Sequence, residues 1–209
     1  MSDFGRSVRR AAAVLTAAVC VICGATALVC GVYMAFRGIT PGAAVNGGAV
    51  FYLSGESASE STASVIAAGY RRDGEAGVVY DGFVAKRLYT DKSKAMLDGE
   101  VREVTVACSG FTGENADADA EFYDSATSVV EKISALTDEL EDGRTSESLA
   151  SLTIGEYAVY LGGYTNGGQS AVAAESAALL MSCAAESSAA SVKRSAVLLA
   201  ILLSESLET

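Results

Sequence analysis

Residues 11–36 run for 26 positions without one charged side chain. At about 1.5 Å per residue, such a helix crosses a hydrocarbon layer of ~30 Å with some tilt. Arg6, Arg9 and Arg10 precede the run, and Arg37 alone follows it closely. By the positive-inside rule, the N-terminus is expected in the cytoplasm and the chain beyond residue 37 outside. Ala25-Thr26-Ala27 has the small-x-small form of a signal-peptide cleavage site, but the apolar run continues to Phe36. That continuation favours an uncleaved anchor. Cys30 follows Ala27-Leu28-Val29, and the bulky Val29 does not suit a lipid-bearing cysteine. Residues 1–37 are therefore read as a cytoplasmic stub and transmembrane helix, and 38–48, rich in Gly and Ala, as a flexible linker.

Charge is segregated beyond the anchor. The net charge of −11 divides into +3 for residues 1–48, −2 for 49–111 and −12 for 112–209. The step near residue 112 is read as a domain boundary. Nucleic acid is a poor partner for so acidic a chain. The sequence contains no His, which excludes Ser-His-Asp triads, Cys-His pairs and imidazole switches. Of the five cysteines, Cys108 and Cys183 alone lie beyond the anchor. Their apolar surroundings suit two separate buried thiols better than a bridge. Neither sits in a Cys-x-x-Cys pair, so no zinc site is expected.

Residues 49–111 read as alternating short strands and helices. Residues 49–54 are apolar and β-prone, and Gly55 is expected to end the strand. Ser57 and Glu60 have capping-box spacing before a helix that carries Ala63, Ile66, Ala67 and Tyr70 and stops at Gly74. Strands follow over 76–80 and 83–89, joined by Asp81-Gly82, a strong tight-turn dipeptide. Thr90-Asp91 can cap a short helix over 92–97, and 103–108 alternates as a fourth strand. The pattern is βαββαβ, an α+β fold in which a four-stranded antiparallel sheet carries two helices on one face.

This order and its punctuation resemble the SPOR domain of bacterial envelope proteins, most of all the divergent versions in Gram-positive spore-formers. Gly55 and Ala63 fall where that family places a Gly after the first strand and an Ala near the first helix start. Gly74-Glu75-Ala76-Gly77 leads into the second strand as in the family. Leu88-Tyr89 ends the third strand, ahead of a short helix containing Ala95. Two positions depart: Leu53 stands where the family has Gln, and Ser57 where it has an aromatic. The resemblance implies peptidoglycan binding, glycan strands stacking on the exposed sheet face, in division or sporulation. Phe51, Tyr52, Phe83 and Tyr89 are the ligand-binding candidates, with Tyr80 a further strand aromatic. Alternation sends Phe51 and Tyr52 to opposite faces, so one of the two is expected on the open side. Lys86 and Arg87 divide in the same way.

Residues 112–209 read as helix. Phe122, Ala126, Val129, Ile133, Leu136 and Leu140 step by three and four along 116–142. A second helix starts near Ser146, carries Leu149, Leu152, Tyr157 and Leu161, and stops at Gly162-Gly163. An Ala-rich helical stretch from Gln169 to about Ser206 is expected to break near Ser187-Ser188. These stripes suit packing in a bundle, and Ala-rich faces allow close helix approach. Gly162-Gly163 and Gly167-Gly168 lack the Gly-Lys-Ser/Thr of a phosphate loop. Asp117, Asp119 and Glu121 have calcium-ligand spacing but no loop Gly.

The chain is thus expected to be a non-enzymatic, single-pass envelope protein that needs no cofactor or metal. Its membrane contact is through Ala11 to Phe36. Its expected partners are peptidoglycan and, through the C-terminal helices, an envelope protein. The alternative is an assembly protein in which the α+β domain is a degenerate scaffold.

Overall fold

The computed structural model describes residues 48–58 and 77–207. The proposed membrane run, the linker up to residue 47, the capping box with Glu60 and the helix carrying Ala63 to Tyr70 lie outside the described residues. Among the described residues, no helix is long and apolar enough to cross a membrane.

The fold is α+β: a four-stranded antiparallel sheet followed by four long helices. The strands are β1 (Ala49–Ser57), β2 (Val78–Tyr80), β3 (Phe83–Tyr89) and β4 (Glu100–Val106), with the short helix α1 (Lys92–Leu97) between β3 and β4. The long helices are α2 (Ala116–Glu141), α3 (Glu147–Gly162), α4 (Ser170–Glu186) and α5 (Ala189–Glu205). The strand order is β2-β3-β1-β4 with every pairing antiparallel. β1 and β2 therefore run parallel, two positions apart, with β3 between them.

Local chemistry fixes most of these bounds. Asp81 and Gly82 have φ of 46° and 69°, the left-handed pair that a two-residue hairpin turn needs. Asp91 caps α1 by accepting the Ser93 amide at 2.8 Å. Ser188 and Ser191 cap each other at the start of α5, after Ser187 adopts a left-handed conformation. That pair produces the break expected near Ser187-Ser188.

Limits of three strands differ from the expectation, β2 starting at Val78 and not at 76. β1 does not end at Gly55 but runs on to Ser57, because Gly55 sits at a bulge where the β1–β3 register shifts. A Cβ at Gly55 would lie 1.7 Å from the Val84 carbonyl oxygen, so only glycine allows the strands to stay paired there. β4 begins at Glu100 and ends at Val106, three residues earlier than expected at its start. Its charged Glu100 and Arg102 hide the strand pattern, yet they pair with Gly55 and Leu53.

One sheet face is closed by α5, the last of the described helices. Register places Phe51 beside Val104, and Leu53 between Leu88 and Arg102. Phe51, Leu53, Phe83, Leu88, Val104 and Val106 are no more than 2% exposed. α5 packs on β2, β3 and β4, and on α2, α3 and α4 from its other sides. Val192, Ser195, Ala196, Leu199, Ala200 and Leu203 are all buried, so α5 is the centre of the core. Tyr123 of α2 fixes the end of this helix, its hydroxyl lying 2.7 Å from that of Ser206. α1 takes the opposite sheet face.

The α2 stripe is buried as spaced from Phe122 to Leu136, with Leu140 half-buried. Asp119 also turns inward and accepts the Gln169 amide at 3.1 Å. It thereby caps α4, whose own N-cap side chain makes no capping bond. Gly167 is required beside it: its φ is +132°, and a Cβ there would come within 2.7 Å of the Asp119 carboxylate.

α3 and α4 form a close antiparallel pair. Gly155 faces Ala184 and Gly162 faces Ala177. A Cβ on Gly155 would stand 3.9 Å from that of Ala184, whereas one on Gly162 would stand 3.2 Å from that of Ala177. A mid-helix Gly costs roughly 0.5–1 kcal/mol against Ala. Gly155→Ala is therefore expected to stabilise the fold by up to about 1 kcal/mol, and Gly162→Ala to bring no such gain, because Gly162 is the last residue of α3 and its methyl group would press on Ala177. Thermal melts of the two variants provide the check. Equal gains would contradict the packing described.

Candidate functional site

The four aromatics singled out in the sequence do not form one exposed platform. Phe51 and Phe83 lie inside the covered face, 1% and 0% exposed. The Arg102 guanidinium sits over the Phe83 ring, 5.2 Å from its centroid, and pairs with Asp81 at 2.6 Å. Tyr52 and Tyr89 are cross-strand neighbours on the other face. Tyr89 is buried, and Tyr52 alone of the four is half-exposed. Lys92 of α1 lies 5.8 Å from the Tyr52 ring centre and pairs with Glu103 of β4 at 2.5 Å. Alternation thus puts Tyr52, not Phe51, on the more open side, with Val50, Glu103 and Thr105 exposed around it.

The ionisable groups concentrate instead where the end of β3, α1 and the C-terminal end of α2 converge. A cleft of about 470 Å³ lies there, lined by Arg87, Tyr89, Lys94, Asp98, Asp138 and Glu141, among others. Arg87 makes ion pairs with both Asp138 and Glu141. Glu141 also takes Lys193 of α5 at 2.9 Å. The Arg87 guanidinium covers the Tyr89 ring at 4.5 Å. Asp98, the residue that closes α1, accepts from the Ser54 hydroxyl at 2.6 Å and from the Tyr89 phenol at 3.2 Å. One turn of α2 before Asp138, the Ser134 hydroxyl donates to the Leu88 carbonyl at 3.1 Å. Leu88 belongs to the part of β3 that lies beyond its pairing with β2.

The electrostatics follow from this geometry. Burial, aided by the Asp98 carboxylate and against the pull of Arg87, pushes the Tyr89 phenol up to about 12. It therefore stays a hydrogen-bond donor at neutral pH. Burial opposes ionisation of Glu141, but Lys193 and Arg87 outweigh it and hold the carboxyl below its ordinary range. A neighbour that favours the carboxylate stabilises the fold above the ordinary carboxylate pKa, and that contribution is lost as pH falls through the lowered value. The arrangement links β3 to α2 and, through Lys193, to α5.

Lys86 and Arg87 fall at the bulge, where the β1–β3 register passes from Ser54 opposite Arg87 to Gly55 opposite Ala85. Lys86 pairs with Glu56 on the exposed side at 2.9 Å, while Arg87 turns to α2. The acids of the cleft read in the sequence as a solvated helix face. A signal for their role was present: Asp138 and Glu141 close α2 with no base in its last turn. Carboxylates at a helix C-terminus oppose the helix dipole and call for cations nearby. Cys108 and Cys183 are both free and buried, so the two thiols are separate. Among the described residues, no group of His, Cys, Asp and Glu is placed to hold a metal ion.

Compared with protein-family models, with curated proteins and with solved structures, the chain matches none of them.

Proposed function

We propose that this chain is a non-enzymatic assembly module, held at a membrane by Ala11 to Phe36, in which the sheet is a scaffold and the helices meet a partner protein. One observation carries the reading: the sheet face that bears Phe51, Leu53 and Phe83 is covered by α5 of the same chain. A SPOR-like sheet would offer a glycan its face opposite the two helices, and here that face is core. The SPOR-like reading of the fold itself draws support from the parallel relation of β1 and β2, which a βαβ crossover requires. It draws further support from α1 lying on the Tyr52 face. The Arg87 ion pairs tie the sheet to α2, and the Lys193 pair ties α2 to α5, as in a scaffold serving one rigid unit.

Peptidoglycan binding is the second reading, favoured by the half-exposed Tyr52 and the polar side chains beside it. Sedimentation of the full chain with purified sacculi separates the two. The protein is expected to remain in the supernatant at low and moderate salt. Co-sedimentation that is lost in Tyr52→Ala would establish the glycan reading in its place.

A further inference from the structure

We propose that Asn166-Gly167, in the loop between α3 and α4, is a self-modifying site that converts slowly to isoaspartate and thereby releases the start of α4. The proposal is independent of the assembly reading above. The chemistry needs an Asn whose side-chain amide can meet the main-chain nitrogen of the next residue. It also needs that next residue to lack a Cβ that would block the approach. Of the three Asn in the sequence, Asn46 and Asn166 precede a Gly, and Asn115 precedes Ala116. Asn46 lies outside the described residues.

The fold leaves both reacting groups at Asn166 free. Asn166 is exposed, in the connection between Gly162 and Ser170. Among the described residues, its side chain makes no hydrogen bond and the Gly167 amide donates none. Asn115 is the internal contrast. It stands at the N-cap of α2, and the Ala116 amide behind it donates to the Gly113 carbonyl at 3.4 Å. Gly167 is also fixed by the fold, through its φ of +132° and its closeness to Asp119. The residue that makes the dipeptide labile is therefore one that the packing requires.

The step balances with water as the sole co-reactant. The Gly167 nitrogen gives its proton to solvent and attacks the side-chain carbonyl carbon of Asn166. A carbon–nitrogen bond forms, the bond to the side-chain amino group breaks, and that group takes up a proton and leaves as ammonia. Water then opens the cyclic succinimide at either carbonyl, to aspartate or to isoaspartate. Aspartate adds one exposed charge, which solvent screens. Isoaspartate also routes the main chain through the side-chain carbon and lengthens it by one methylene ahead of Gly167. The backbone that follows has no slack. A Cβ on Gly167 would come within 2.7 Å of the Asp119 carboxylate, and one on Gly168 within 3.1 Å. Gln169 donates its amide to the same carboxylate at 3.1 Å. The longer link displaces these residues from Asp119, and α4 loses the cap that Asp119 supplies.

The test ages the full chain in detergent at mildly alkaline pH and maps its peptides by mass, which keeps Asn46 apart. Asn166 is expected to show the exchange of an amino group for a hydroxyl, faster than at mildly acidic pH, with isoaspartate the main product. Asn115 is expected to stay intact. The isoaspartate chain is expected to melt about 2–4 °C lower, the loss of one helix cap in a chain of this size. Asn166→Gln, whose longer side chain closes the ring far more slowly, is expected to age without that fall. Freshly made Asn166→Asp is expected to melt with the wild type. An Asn166 that survives ageing overturns the proposal, as does an isoaspartate chain whose melt is unchanged or matched by Asn166→Asp.

Discussion

Ending the chain at Ser187, before α5, is expected to abolish cooperative unfolding. Val192, Val197, Leu199, Ile201 and Leu203 of that helix are all buried. Burying one such side chain is worth roughly 1.5–3 kcal/mol, so the five together are worth about 7–15 kcal/mol before ordering costs. That equals the whole net stability of an ordinary domain, about 5–15 kcal/mol. The loss does not stop at the helix, since the sheet face around Phe51 and Val104 would open to water and α2 and α4 would lose a common neighbour. Urea titration followed by circular dichroism is the measurement. A sharp transition with an unchanged midpoint in the shortened chain would show that α5 is an appendage and not the centre of the core.

The second expectation separates two neighbours in one strand. Phe51→Ala should cost about 3–5 kcal/mol, the sum of lost transfer energy and the cavity left behind. For a chain of this size, that is a fall in Tm of roughly 6–20 °C. Tyr52→Ala, on the opposite and more open face, should cost under about 1 kcal/mol, as most substitutions outside the core do. Comparing the two melts reads the orientation of β1 directly. A larger loss at Tyr52 than at Phe51 would mean that the strand is turned over.

Much of this architecture was legible because it rests on short-range chemistry. The Asp81-Gly82 turn, the α2 stripe from Phe122 to Leu136 and the break at Ser187-Ser188 each follow from a few adjacent residues. What was not legible depended on partners distant in the chain. Gly55 looks like a strand terminator, because its reason for being glycine is the Val84 carbonyl on another strand. Arg87 looks like a solvated strand cation until Asp138 and Glu141 arrive from α2. The α3 sequence shows apolar residues at Leu149, Leu152, Tyr157 and Leu161. Only the packing shows that Tyr157 and Leu161 face inward and that Leu149 and Leu152 face out. The burial of the sheet face was the least accessible of all. Nothing in β1 or β4 says that residues beyond 188 will cover them.

The position of α5 in the chain also sets the order in which the protein can become itself. A polypeptide emerges N-terminus first, so Phe51 and Leu53 are made long before Leu199 and Leu203, the side chains of the helix that shields their sheet. Until α5 has been made, the sheet lacks the helix that shields its oily side, and β1 waits more than 130 residues for that cover. Contacts of such long reach are slow to close, and exposed strands are prone to wrong pairings in the interval. For this fold, the making of α5 converts a sticky intermediate into a finished structure.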